Sequence, residues 1–152
     1  MLEPRTMPQG AVKIRRGRRT DFPMLLQLLA PAVPQETGKA QVRYWRRVAS
    51  DPIHDFYVAE QGGIVRGMVL VSYIRGLTSQ GCRAILDLVV PVSVLCDIGL
   101  LLLNFAKTRA QQRGCHRIMV WDTRKEQAEE LTALYVQAGF LRSGEVLSCA
   151  LQ

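Results

Sequence analysis

Apolar and polar positions along this chain follow two rhythms, and each change of rhythm marks a new element. Phe22, Leu25, Leu26, Leu28 and Leu29 recur at helical spacing. Thr20 or Asp21 is placed to cap that helix, and Pro23 falls in its first turn, where a missing N–H costs nothing. Pro31 and Pro34 stop it. A second helix is predicted over Gly38–Ala49. Val42, Trp45 and Val48 form its apolar stripe, and Lys39, Arg43, Arg46 and Arg47 its basic face. Asp51-Pro52 ends it.

The rhythm then shortens. Ala11–Arg15 is a short first strand, ahead of both helices, and Asp55–Glu60 a second. Gln61-Gly62-Gly63 is a hairpin turn into a longer strand over Ile64–Ile74, with Gly67 marking a bulge. After a loop over Leu77–Gly81, Arg83–Val90 is almost continuously apolar, which predicts a central strand covered on both faces. Pro91–Cys96 connects it to a helix over Asp97–Gln112 that Gly114 closes. A strand over Cys115–Asp122, a helix over Glu126–Ala138 closed by Gly139, and a last strand over Gly144–Leu151 complete the order. The sequence β, α, α, β, β, β, α, β, α, β has no internal repeat. It predicts one mixed α/β domain over residues 11–152, preceded by a flexible tail over 1–10.

Composition narrows the class. Hydrophobic residues make up 48% and charged residues 22%, which excludes a disordered chain. The richest apolar run, Ile98–Phe105, is far short of the ~18 residues a membrane span needs. Met1–Gly10 lacks the apolar core of a signal peptide, so a cytoplasmic location is expected. The net charge of +7 favours anionic partners without choosing among them. Arg15, Arg16, Arg18 and Arg19 form its densest cluster, read here as a solvated strand end and loop. Cys82, Cys96, Cys115 and Cys149 are scattered, with one adjacent histidine, His116. That pattern makes no metal site and predicts reduced thiols in or near a core.

Two stretches carry a resemblance. One is the strand, loop and helix over Leu86–Lys107; the other is Leu134-Tyr135-Val136-Gln137-Ala138-Gly139-Phe140. With the element order, they make the chain similar to GCN5-related N-acetyltransferases (GNAT). The resemblance implies a mostly antiparallel central sheet whose fourth and fifth strands are parallel and splayed, with helices on both faces. It also implies acetyl-CoA or another acyl-CoA as cosubstrate, no metal, and an amine of a small molecule or peptide as acceptor. A helix N-terminus offers free N–H groups and a positive dipole end to a pyrophosphate. The family's loop there has the pattern Arg/Gln-x-x-Gly-x-Gly/Ala. Anchored on Pro91, this chain has Val94-Leu95-Cys96-Asp97-Ile98-Gly99. Only Gly99 is kept; Val94 and Asp97 depart. Leu95, Cys96, Asp97, Ile98, Gly99 and Leu100 are the implied pyrophosphate contacts. Leu88, Val89 and Val90 would hold the pantetheine arm through their backbone. The Asp97 carboxylate predicts weakened binding, or rescue by Arg109 and Arg113 farther along the helix.

Amide formation from a thioester needs a deprotonated amine and a proton for the leaving thiolate. By resemblance, Tyr135 is the acid, since a phenol with pKa near ~10 keeps its proton at neutral pH. Asp122 is the first candidate base and Asp87 the second. His54 and His116 are read as surface or strand-end residues. The first two helices shape the acceptor pocket in the family. Here they carry Tyr44, Trp45 and several arginines, which suits an acceptor bearing a carboxylate or phosphate, or an acidic peptide. The short stretch after Phe140 leaves that pocket open or completed by a second copy in a homodimer. Two other readings stand beside the enzyme: a GNAT-fold module without catalysis, and a basic nucleic-acid binder. The last has no recognised motif and no basic stripe behind it.

Overall fold

A computed structural model describes residues 10–29, 38–77, 81–120, 128–142 and 149–151. A short strand, β1 (Lys13–Arg16), leads through a 3-10 turn (Arg19–Asp21) into α1 (Phe22–Leu29). Then come α2 (Gly38–Ser50), β2 (His54–Gln61), β3 (Ile64–Arg75) and β4 (Cys82–Val89). A 3-10 turn (Val92–Val94) and a π-helical turn (Leu95–Gly99) open α3 (Leu100–Gln112). β5 (Cys115–Val120) and α4 (Ala128–Gln137) follow. Asp122 and most of the predicted last strand lie outside the described residues.

The sheet has the order β1-β2-β3-β4-β5. The first three pairings are antiparallel, and β4 pairs with β5 in parallel, as expected. A parallel pair needs a crossover, and α3 supplies it. The β4–β5 register runs from Cys82↔Cys115 to Leu86↔Val120, so β4 continues three residues past the last of these pairs.

Each face of the sheet has its own core. On one, α3 and α4 cover Tyr57, Ala59, Val69, Val71, Ala84, Leu86 and Leu88. On the other, α1 and α2 cover Phe56, Val58, Val65 and Met68, with Trp45 stacked on Phe22 at 6.2 Å. This alternation corrects the expectation for the fourth strand. In β4, Ala84, Leu86 and Leu88 are buried, while Arg83 and Asp87 on the opposite face are exposed. The α1–α2 layer lies over β2 and β3 and meets β4 at Val89, so among the described residues that face of β4 is covered only at its end.

Gly67 fixes where the start of α3 sits. The register of β2 and β3 slips beside it, with Ala59 opposite Gly67 and Glu60 opposite Val65. A Cβ on Gly67 would lie 3.0 Å from Ile98 Cγ2, 3.0 Å from Val90 Cγ2 and 3.1 Å from Leu102 Cδ1. The bulge and the missing side chain let the π-helical turn settle directly on β3.

The first arginine cluster is not simply solvated. Arg15 donates to both Asp21 carboxylate oxygens at 2.9 Å and to Glu60 at 2.6 Å. Asp21 is buried and also accepts the Arg18 backbone N–H at 2.6 Å, so it caps the 3-10 turn rather than α1 itself. Burial opposes the Asp21 charge, but the hydrogen bonds from Arg15 and the Arg18 backbone, with the charges of both arginines, together outweigh it and hold the carboxyl below its ordinary range. Among the described residues no helix is long and apolar enough to cross a membrane. No group of three metal-ligating side chains occurs among them either.

Candidate active site

The candidate site is built where β4 ends and α3 begins. Val94, Leu95 and Ile98 are buried and lock the turn into the core, whereas Cys96 and Asp97 are exposed. This explains why the helical path starts at Leu95, ahead of the predicted Asp97: Leu95 belongs to the apolar face that seals the turn. A helix start leaves its first N–H groups without partners inside the helix. Here they belong to the segment carrying Leu95, Cys96, Asp97 and Ile98.

Gly99 is required for a reason beyond access to a ligand. A Cβ there would lie 2.8 Å from Leu134 Cδ2 and 3.4 Å from Leu95 Cδ1. The glycine therefore lets α4 seat against the opening turn of α3. Tyr135 is the next residue of α4 and is buried in the same core cluster as Leu95 and Ile98.

The Leu-Tyr-x-x-x-Gly-Phe stretch has a complete structural account. Gly139 takes φ +92°, a left-handed conformation that costs glycine nothing. Its N–H donates to Val136 O at 3.0 Å, and the Phe140 N–H donates to Tyr135 O at 2.9 Å. These two bonds form a Schellman motif, and the Phe140 ring completes it by packing on Tyr135, centroids 5.7 Å apart. Lys107 of α3 donates to Ala138 O at 2.7 Å, placing a cation on the carbonyl end of α4. Glycine, phenylalanine and lysine together fix the pose of Tyr135.

The other expected residues divide. The Leu88 side chain is fully buried and that of Val90 nearly so, which leaves their backbone as the part able to meet a ligand. Leu100 is half-buried. Asp87 is exposed and sits in register with Leu70, so it is not the buried carboxylate that an apolar strand suggested. His54 opens β2 and shares a hydrogen bond with Ser72 Oγ at 2.7 Å; His116 lies near the start of β5. Both are strand-end residues, as expected. The thiols depart from expectation: Cys82 is buried and Cys115 half-buried, but Cys96 and Cys149 are exposed.

Arg109 and Arg113 do not serve the loop. They lie toward the far end of α3, with Arg109 about 15 Å along the helix axis from Gly99. Both point at Asp55, which is completely buried. Arg109 Nε donates to Oδ2 at 3.2 Å, Arg113 donates to Oδ1 at 2.9 Å, and the Tyr73 hydroxyl donates to Oδ2 at 2.7 Å. Arg16 lies 3.7 Å away. Burial opposes the Asp55 charge, but the Tyr73 and Arg113 hydrogen bonds and the two nearby arginine charges outweigh it. They hold the carboxyl below its ordinary range. Burial and the Asp55 charge together push the Tyr73 hydroxyl well up. This cluster ties α3 to β2 and β3. The sequence reading missed it, and its one signal was a lone Asp opening a buried strand.

The family model for the Acetyltransferase (GNAT) family matches residues 22–140. Among solved structures, a transcriptional regulator from Bacillus halodurans C-125 is 28% identical, with a TM-score of 0.75 over 93% of this chain and 100% of that one. A predicted acetyltransferase from Clostridium acetobutylicum, solved with acetyl-CoA, shares the fold at 14% identity and a TM-score of 0.72, covering 92% and 96%. Glucosamine-6-phosphate N-acetyltransferase from Arabidopsis thaliana shares it at 19% identity and a TM-score of 0.67, covering 93% and 99%. No curated protein sequence matches the chain significantly.

Proposed function

Because the chain belongs to the GNAT acetyltransferase family, we propose that it moves an acetyl or other acyl group from acyl-CoA to the amine of a small molecule or peptide. The observation that carries this reading is the seating of Leu134 on Gly99, which brings α4, the helix that includes Tyr135, against the opening turn of α3. Acyl-CoA brings the activated thioester. The first-turn backbone N–H groups of Leu95, Cys96, Asp97 and Ile98 suit its pyrophosphate, and the backbone at Leu88, Val89 and Val90 suits its pantetheine arm. Tyr135 supplies a proton to the departing sulfur from its hydroxyl. Asp122 remains the proposed base for the acceptor amine. Neighbouring structures named as glucosamine-6-phosphate N-acetyltransferase and as an aminoglycoside acetyltransferase favour a small-molecule acceptor. The exposed Arg43, Arg46 and Arg47 of α2 suit one that carries an anionic group. A thiol-release assay with acetyl-CoA and a panel of primary amines tests the activity. Replacing the three arginines with glutamine is expected to raise KM for anionic amines about tenfold and leave neutral ones unchanged. An equal effect on both would discard the anionic acceptor.

The exposed Asp97 supports a second reading, a GNAT-fold module that has lost catalysis. A carboxylate ~5 Å from a phosphate costs roughly 1 kcal/mol in water. Asp97→Gly is therefore expected to tighten acetyl-CoA binding about fivefold, measured by calorimetry. Unchanged affinity would show that the carboxylate turns away from the ligand.

A further inference from the structure

Cys82 and Cys115 lie 33 residues apart in the sequence and side by side in the fold. They are register partners at the open end of the parallel β4–β5 pair. Parallel neighbours are spaced about 4.8 Å apart. A disulfide accepts Cα separations of roughly 4.4–6.8 Å. Register partners also point to the same face of a sheet, here the face under α3. Cys82 continues the buried row of Ala84, Leu86 and Leu88, and Cys115 packs against the same core.

The ladder is irregular beside the pair. The next pairing after Cys82↔Cys115 is Arg83↔Arg117, so His116 is an extra residue in β5. A bulge of this kind interrupts the ladder beside the pair and bends the bulged strand. Cys82 is nearly closed to solvent and Cys115 partly open, which gives a small oxidant one way in.

We propose that Cys82 and Cys115 form a site of oxidative modification, a thiol pair that closes to an intramolecular disulfide when the chain meets a peroxide. The sulfur of one cysteine attacks a peroxide oxygen, the O–O bond breaks, and a sulfenic acid forms as water leaves. The second thiol then attacks that sulfur, the S–S bond forms, and a second water leaves. Two thiols are oxidised and one hydrogen peroxide is reduced, with no further reagent. Burial, and then the neighbouring Cys82, push the Cys115 thiol up to about 12, so the first step is slow at neutral pH. The bond would close a loop holding most of β4, the Leu95–Gly99 turn and all of α3. It would cross-link the two ends of the segment that carries the candidate site.

The test is peptide mapping of the reduced full-length chain after treatment with hydrogen peroxide, digested without reductant. The expected product is a peptide pair linking Cys82 to Cys115, lighter by two hydrogens and restored by dithiothreitol. It should exceed any link through Cys96 or Cys149 at least tenfold. A variant with both Cys96 and Cys149 replaced by serine should form it equally well. The proposal is overturned if Cys82 and Cys115 stay alkylatable while Cys96 oxidises. It is also overturned if the pair ends as separate sulfinic acids, or if the links are spread evenly over all four cysteines. The wild-type map decides the question, so it does not depend on whether a Cys82 variant folds.

Discussion

Replacing Asp55 with alanine is expected to cost about 3–5 kcal/mol of unfolding free energy, because it strands Arg109, Arg113 and the Tyr73 hydroxyl around an empty centre. The carboxylate has no solvent exposure, so water cannot take its place without rearrangement. For a domain of this size such a loss lowers Tm by roughly 10 °C. The same residue sets the acid limb of stability. Asp55 and Asp21 are both held below the ordinary carboxylate range. A carboxyl depressed in the folded state stabilises fully above its unfolded pKa, near ~3.9. That contribution is lost as pH falls through the folded value. Urea titrations should therefore show wild-type stability dropping below about pH 4 and a flatter profile for Asp55→Ala. Equal acid profiles for the two proteins would remove Asp55 from this role. Arg113→Met should lose less, since Arg109 and Tyr73 still hold the carboxylate.

The second large effect falls on turnover. Tyr135→Phe is expected to lower kcat about a hundredfold, the low end of what a positioned proton donor contributes. The ring that packs on Phe140 is kept, so the Schellman motif, the Leu134–Gly99 contact and the fold should persist. KM for acetyl-CoA should move less than twofold. A variant with full kcat would assign Tyr135 to packing alone and send the search for the proton donor elsewhere.

How much of this was legible in the sequence depends on the range of the interaction involved. Short-range signals carried the elements. Trp45 and Val42 do turn inward from α2, joined by Ala49, and Gly139 does close α4 with positive φ. The parallel β4–β5 pair came from the family resemblance, since no local pattern distinguishes a parallel strand from an antiparallel one. Long-range partners were hidden. Asp55 meets Arg113 across 58 positions, and Arg15 meets Glu60 across 45. Cys82 and Cys115 become neighbours only once the crossover helix is in place. The exposure of Asp87 was misjudged because an apolar run does not tell which strands a second helical layer reaches. At the site, the sequence marks Gly99 as a small residue suited to a phosphate. That Leu134 fills its empty side requires the packed structure.

The central claim is that this altered loop still holds acyl-CoA, and calorimetric titration of the purified chain with acetyl-CoA tests it most directly. CoA and a longer acyl-CoA serve as companions. Dissociation in the micromolar range, weakened when Gly99 is replaced by valine, is the predicted result. An absence of binding for all three ligands up to millimolar concentration, by a chain that remains folded, would contradict it and leave the GNAT fold here as a scaffold for a different ligand.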